Sequence, residues 1–217
     1  MSTQALYDFD GTITSKDTTI LLLVELLKLR PWRFSGLIWF LFRMIVAGDS
    51  VSKQGYKNKS IGYLIKGLSD MRLSGALKDF RNKVKVLYRP SVLASIDKTI
   101  QDGCTVLIVT ASPSFAISDC VSDLPVIVLG TEFEKEENIY TGLLKSENCY
   151  GKEKVNRINE WATSNKIVLS VQSAWSDHFS DFDMLSLSAK RYWVGGEQLQ
   201  TLVMDHDPEA NFVHTEQ

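Results

Sequence analysis

Short apolar runs alternate with amphipathic stretches along this chain, and the alternation is interrupted once. Residues 5–10 form an apolar run that ends in the turn Asp10-Gly11-Thr12, which predicts a strand. Residues 17–30 are apolar at most positions and rich in helix formers, and Pro31 stops the run. Residues 36–48 predict a second helix, apolar almost all round, and 53–66 and 69–88 predict two more. Ser69 is placed to cap the last of these. The segment 15–88 therefore reads as all helical.

The character changes at Arg89-Pro90. Residues 91–102 read as a helix, and the β-branched run 104–109 reads as a buried parallel strand. A helix over 113–123 and a second buried strand over 125–129 follow. Residues 131–135 and 139–145 predict a hairpin around Glu136-Glu137-Asn138. Residues 151–164 predict an amphipathic helix with Val155, Ile158 and Trp161 on one face. Strands over 167–171 and 192–194 close the pattern. Alternating strands and helices predict a doubly wound α/β sheet, so the chain reads as an α/β core (1–14 and 89–217) interrupted by a helical cap (15–88).

Four short motifs fall at predicted strand ends or helix starts, where ligands of such sheets bind. The first is Asp8-Phe9-Asp10-Gly11-Thr12-Ile13-Thr14. Carboxylates at i and i+2 beyond a strand can reach one site, one as nucleophile and the other as proton donor. A surface Asp-Gly turn is the plain alternative, but it leaves the apolar run before it unexplained. The second is Val109-Thr110-Ala111-Ser112, whose hydroxyl and backbone N–H groups can hold phosphate oxygens. The third is Gly151-Lys152-Glu153-Lys154-Val155, where a lysine can neutralise a phosphoryl group. The fourth, Ser176-Asp177-His178-Phe179-Ser180-Asp181, offers two carboxylates at i and i+4 to a hard cation such as magnesium. Taken singly, the last three fit ordinary strand ends, a solvated helix face and an acidic loop.

Composition adds limits. The chain has 217 residues, 44% hydrophobic and 23% charged, which excludes a disordered or collagen-like chain. Its net charge of −2 and pI near 5.9 argue against a nucleic-acid partner. That total hides a split: residues 15–88 carry fourteen Lys and Arg against five Asp and Glu, a net of +9, which leaves −11 for the rest. Cys104, Cys120 and Cys149 are widely spaced, with no CxxC, and read as reduced cytoplasmic thiols. No basic leader precedes the first apolar run. The stretch 36–48 is too short to cross a bilayer, which takes about 20 apolar residues. Its aliphatic residues read as cap packing. Trp32, Phe34, Trp39, Phe40 and Phe42 with Arg30, Arg33 and Arg43 read equally as cap packing or as a membrane-interface belt.

In this order and at these spacings, the four motifs resemble the haloacid dehalogenase-like superfamily, in the phosphoserine phosphatase branch with a helical cap. The resemblance covers nearly the whole chain and rests most on the opening Asp-Phe-Asp-Gly-Thr. It implies a Rossmann-like parallel sheet with an inserted helical cap. It also implies a magnesium-dependent phosphomonoester hydrolase. Asp8 would attack phosphorus, and Asp10 would protonate the leaving alkoxide and then activate water. Asp8, Asp177 and the Asp10 backbone carbonyl would hold Mg2+, with Asp181 completing the site directly or through water. Thr110, Ala111 and Lys154 would hold the phosphoryl group. The Gly-x-x-Lys-Val spacing favours Lys154 over Lys152. Ser180 stands where relatives often carry Asn. Asp17, seven residues after Asp10, would contact substrate, or would cap the following helix. The apolar cap, Tyr140-Thr141-Gly142, the stretch from Asn148 to Val155, and Ser176-Asp177 look like the subfamily that contains phosphatidylglycerophosphatase C. That likeness implies a lipid phosphate monoester and peripheral contact with the inner face of an anionic membrane. Two other readings stand beside it: a soluble phosphatase of the phosphoserine type, and a non-enzymatic membrane-associated module.

Overall fold

The computed structural model describes residues 3–215. Its centre is β1 (Gln4–Tyr7), four residues with no exposure. Such a strand must be covered on both faces, and its side chains divide accordingly. Tyr7 points into one apolar cluster with Phe9, Ile96 and Ile108, and Leu6 into the other with Leu107, Ile158 and Trp193. Six strands form the sheet in the order β3-β2-β1-β6-β7-β8, every neighbour parallel. These are β2 (Thr105–Pro113), β3 (Ile127–Thr131), β6 (Val171–Ser176), β7 (Ser188–Gly195) and β8 (Asn211–His214). The chain moves from β1 to β2 on one side and returns to β6 on the other. The carboxyl ends of these three neighbours therefore meet at a topological switch point. The register aligns Tyr7, Trp175 and Tyr192 across three strands, and their rings stack at 5.5 and 4.1 Å.

Helices α5 (Pro90–Gln101), α6 (Ser114–Cys120), α7 (Lys152–Ser164), the short α8 (Phe182–Leu185) and α9 (Glu197–His206) belong to this core. Between β1 and β2 lie α1 (Thr19–Leu29), α2 (Phe34–Val46), α3 (Ser50–Ile65) and α4 (Asp70–Lys85). The chain passes out and back side by side. Thr14 bridges Tyr88, the Ser15 amide donates to the Leu87 carbonyl, and the Arg89 amide donates to the Ile13 carbonyl.

Several expectations need correcting. The strand expected over 167–171 begins at Val171 and runs to Ser176, so it ends directly on the fourth motif. The strand over 125–129 is an edge strand, half-buried along most of its length. The expected strand over 192–194 spans eight residues, and α9 and β8 follow it unforeseen. The buried stripe of α7 is Lys154, Ile158 and Ala162, while Val155 and Trp161 flank it. Ser69 occupies the N-cap of α4 without a side-chain hydrogen bond.

The hairpin is where the pattern put it, as β4 (Phe133–Glu136) and β5 (Ile139–Leu144). Glu137 and Asn138 between them have φ of 48° and 67°, the twist that a two-residue turn needs. It packs against the helical insert. The Gly67 amide donates to the Tyr140 carbonyl, and the Tyr140 amide donates to the Leu68 carbonyl. The backbones touch at Gly62 and Gly142, where a Cβ on Gly62 would lie 2.1 Å from the Gly142 carbonyl.

Helix α2 turns only Leu37 fully inward, with Phe40 and Leu41 half-buried beside Tyr63. Ile38, Ile45 and Val46, read as packing, are exposed, as are Trp32, Phe34, Trp39 and Phe42. The arginines turn the other way, onto the adjoining helix. Arg30 donates to the Lys66 and Gly67 carbonyls, Arg33 to the Tyr63 carbonyl, and Arg43 to the Tyr56 hydroxyl.

A buried carboxylate joins α1 to α4. Glu25 is 1% exposed and takes ammonium groups from Lys83 at 2.5 Å and Lys28 at 2.7 Å. Burial pushes its carboxyl up, but the two lysines outweigh this and hold it below the ordinary glutamate value of 4.5. A depressed folded value means that the stabilisation is present above about pH 4.5 and is lost as pH falls through the folded value. Glu25→Gln should cost about 1–2 kcal/mol at pH 7, given half-exposed partners. Urea unfolding at pH 7 and pH 3 checks this: the deficit should shrink at pH 3.

Candidate active site

The first motif leaves β1 through a wide turn. Asp8 is extended, its amide donating to the Trp175 carbonyl of the neighbouring strand at 2.9 Å. The Thr14 amide and hydroxyl both donate back to the Phe9 carbonyl, which closes the turn. Gly11 sits in it at φ +84°, and a Cβ there would lie 2.0 Å from Asp177 Oδ2. The glycine is thus required twice, for the left-handed backbone and for the approach of Asp177. Thr12 Oγ1 donates to Asp177 Oδ1 at 2.9 Å and ties the fourth motif to the first.

Lys154 rises from the buried stripe of α7 into this space. Its ammonium donates to Asp8 Oδ1 at 2.6 Å and to Asp181 Oδ2 at 2.7 Å. Only 2% of the residue is exposed. Ser176 Oγ donates to the same Asp181 oxygen at 2.7 Å. Asp181 therefore positions the lysine. Its Oδ1 accepts a longer contact of 3.4 Å from Ser180 Oγ. Lys152, the alternative lysine, is exposed.

Asp10 accepts three hydrogen bonds, from the Thr18 amide and hydroxyl at 2.7 Å each and from Ser112 Oγ at 2.5 Å. Thr110 is buried at the end of the β2 core run, where Oγ1 accepts the Ser112 amide at 3.0 Å and keeps its own proton to donate. The Ala111 carbonyl accepts the Thr131 hydroxyl at 2.9 Å, and Ala111 lines the cleft beside Thr110. Asp17 Oδ1 accepts the Thr19 amide at 2.7 Å, one residue ahead of Thr18, which occupies the N-cap of α1, while Oδ2 faces Lys57 at 3.6 Å. Burial pushes its carboxyl up, but Lys57 and the Thr19 amide more than reverse this.

Asp8, Asp10, Asp17, Thr110, Ala111, Lys154, Asp177 and Asp181 all line one cleft, so the structure brings every predicted site residue together. Sequence reading missed the residues that hold them: Ser176, Ser112 and Thr18. It also missed the far wall, where Ser50, Lys53, Gln54 and Lys57 line the cleft. Ser112 and Ser176 lay inside quoted motifs, but nothing in their type separates a positioning hydroxyl from a surface one.

The electrostatics are unbalanced toward negative charge. Burial pushes the Asp8 carboxyl well up, Lys154 draws it down, and Asp181 and Asp177 push it up again. Burial likewise raises Asp177, against the Thr12 hydrogen bond. Burial alone would lower Lys154, but Asp181 and Asp8 reverse that and keep it charged. Hard oxygen donors in excess of cations suit a divalent cation. Among the described residues, no three His, Cys, Asp or Glu side chains form a metal-binding group. Mg2+ does not need one: it uses one or two carboxylates and completes its shell with carbonyls, phosphate oxygens and water. Asp8, Asp177 and the Asp10 carbonyl fit that requirement.

The profile of the haloacid dehalogenase-like hydrolases matches residues 5–186, and the chain belongs to that family. No curated protein matches the sequence. Solved structures share the fold at low identity. A Bordetella pertussis Tohama I protein of unknown function is 17% identical, with TM-score 0.78, over 98% of this chain and 99% of that one. A phosphoserine phosphatase captured as a phospho-aspartyl intermediate analogue is 15% identical, with TM-score 0.59, over 100% and 94%. Cytosolic 5′-nucleotidase IIIB bound to cytidine is 12% identical, with TM-score 0.66, over 98% and 80%. The fold is that of haloacid dehalogenase-like phosphatases.

Lys154→Met would leave buried carboxylates without their ammonium. It should destabilise the protein by about 3–5 kcal/mol in urea unfolding without added metal. Adding Asp8→Asn should restore part of the loss, because one of the stranded charges is then removed.

Proposed function

We propose that the protein is a magnesium-dependent phosphomonoesterase that works through an aspartyl-phosphate on Asp8. The observation that carries this reading is the buried ammonium of Lys154, 2.6 Å from Asp8 Oδ1, in a cleft with Asp10 alongside. Lys154 and the Thr110 hydroxyl would hold the phosphoryl oxygens, with the Ala111 backbone beside them. Asp8 Oδ would attack phosphorus in line with the leaving oxygen. Asp10, held by Thr18 and Ser112, would give its proton to the leaving alkoxide and later take one from the attacking water. Asp8, Asp177 and the Asp10 carbonyl would hold Mg2+, which when bound neutralises phosphate charge and lowers the repulsion that an anionic nucleophile meets. Asp181 would act through Lys154 by fixing its position.

The substrate we propose is a lipid-linked phosphate monoester, met at the cytoplasmic face of an anionic membrane. The resemblance to the phosphatidylglycerophosphatase C subfamily supports it. So does the surface around α2, where Trp32, in the turn just before the helix, is 72% exposed, and Phe42 and Ile45 within it are 59% and 78% exposed. Contiguous exposed apolar surface of this kind marks a docking site. No helix among the described residues is long and apolar enough to cross a membrane, so the contact would be peripheral. A basic cap adds about 1 kcal/mol per Lys or Arg near an anionic surface. The soluble phosphoserine-type reading draws on Asp17 as a partner for a substrate amine, but Asp17 already faces an internal ammonium, Lys57, at 3.6 Å.

Two outcomes test this. With magnesium, the protein should release phosphate from p-nitrophenyl phosphate, and Asp8→Asn should lower kcat at least about 10³-fold; full activity in Asp8→Asn would remove it as nucleophile. The protein should also sediment with phosphatidylglycerol vesicles at low salt, and Trp39→Asp with Phe42→Asp should release it. No sedimentation would favour the soluble reading.

A further inference from the structure

The fourth motif holds a side chain that the phosphoryl chemistry leaves unused. His178 follows Asp177, lines the cleft, and continues the extended backbone that leaves β6, with φ −133° and ψ 135°. Its imidazole folds back over the short helical turn Phe179–Asp181. The Ser180 amide donates to Nδ1 at 3.1 Å, and Ser180 Oγ lies 2.9 Å from the same nitrogen. An amide only donates, so Nδ1 is the acceptor and the neutral ring carries its proton on Nε2. His178 is therefore the N-cap of this turn, a place more often filled by Asn, Asp or Ser.

The turn carries Asp181, which holds Lys154 against Asp8. Each of its three residues has its own restraint. The Phe179 ring packs 4.6 Å from Trp193 and 5.6 Å from His206. The Asp181 amide donates to the His178 carbonyl at 3.0 Å, and its Oδ2 takes Ser176 Oγ at 2.7 Å. Ser180 stands between them, with its amide held by the His178 ring. A peptide released at Ser180 is free to rotate, and the next residue along the chain is Asp181. We infer that His178 is a positioning residue for phosphoryl transfer: Nδ1 fixes the Ser180 peptide, and through it the carboxylate that aims Lys154 at Asp8. In this role the ring touches neither the phosphoryl group nor a metal, and it works as an acceptor rather than as an acid or base. Asparagine Oδ1 can stand where Nδ1 stands, whereas the glutamine carbonyl lies one bond further out. The inference rests on the phosphomonoesterase reading of the cleft.

Steady-state hydrolysis of p-nitrophenyl phosphate by the full chain, with magnesium chloride and at one pH, tests this. His178→Ala and His178→Gln should each lower kcat about tenfold and leave KM within about threefold, because Lys154 keeps its charge and loses its alignment. His178→Asn should keep both constants within about twofold of the unsubstituted protein. The comparison of Asn with Gln decides the matter if the alanine variant does not fold. Full kcat in His178→Ala, equal loss in the Asn and Gln variants, or a raised KM at unchanged kcat overturns the inference, the last by making His178 a substrate contact. Urea unfolding supplies a second measurement that needs no turnover. The cost of His178→Ala with Asp181→Asn should be smaller than the two separate costs together, because the cap acts through that carboxylate. Strictly additive costs overturn the inference. Failure of the hydrolase reading looks different: the unsubstituted protein then releases no phosphate, while the coupling between His178 and Asp181 persists in unfolding.

Discussion

One buried ammonium organises the catalytic end of this molecule. Lys154 bridges Asp8 and Asp181 at 2.6 and 2.7 Å, all three residues buried at the floor of the cleft. An ion cluster at that depth is tolerable only if its geometry is close and its remaining lone pairs are satisfied. The fold meets both conditions. Adjacent parallel strands deliver Asp8 and the Ser176 turn side by side, Ser176 shares the Asp181 oxygen, and α7 is rotated so that a lysine falls on its buried stripe. The negative charge left over is what a divalent cation and a phosphoryl group together would use.

The sheet and the insertion were legible because hydrophobic period is a strong local signal. The apolar runs before Asp8 and Thr110 located β1 and β2, although β1 ends at Tyr7 and β2 continues to Pro113. What the sequence hid had physical causes. Residues 171–176, Val-Gln-Ser-Ala-Trp-Ser, hold a central strand, but its polar side chains obscure the apolar period, and the more apolar residues 167–170 were read in their place. Beyond β7, α9 and β8 carry weak patterns because they cover only the edge of the sheet. Motif spacing favours Lys154 over Lys152 without deciding between them. Helical periodicity alone pointed to Val155 and Trp161, because a buried charge breaks the apolar stripe on which such a reading depends. No local pattern tells that Ser112, Thr18 and Ser176 hold carboxylates, since their partners come from distant parts of the chain.

The cap shows a different limit. In the stretch 36–48 the aliphatic residues read as cap packing and the aromatic ones equally as packing or surface, and only the structure separates Leu37, Phe40 and Leu41, which turn inward, from the apolar residues that face outward. The arginines expected to flank that surface instead donate to carbonyls of α3 and the turn after it and to a tyrosine hydroxyl. Charge counting along the sequence gave the sign of the cap but not the direction of its side chains. The hairpin, distant in sequence, packs against the cap through the Gly62 and Gly142 backbone contact. The cleft is thus bounded by carboxylates from the sheet on one side and by the amines and amide of α3 on the other.

The central claim is that the Asp8 carboxylate becomes the phosphoryl acceptor, and chemical trapping addresses it directly. The protein is mixed with magnesium and a 32P-labelled phosphomonoester, quenched in acid within milliseconds, reduced with borohydride and digested. Borohydride converts an aspartyl-phosphate to homoserine, so the account predicts that residue at position 8 alone, with label that hydroxylamine removes from unreduced protein. Homoserine at position 10, phosphate on His178 or Ser112, or steady turnover with no trapped label would contradict it.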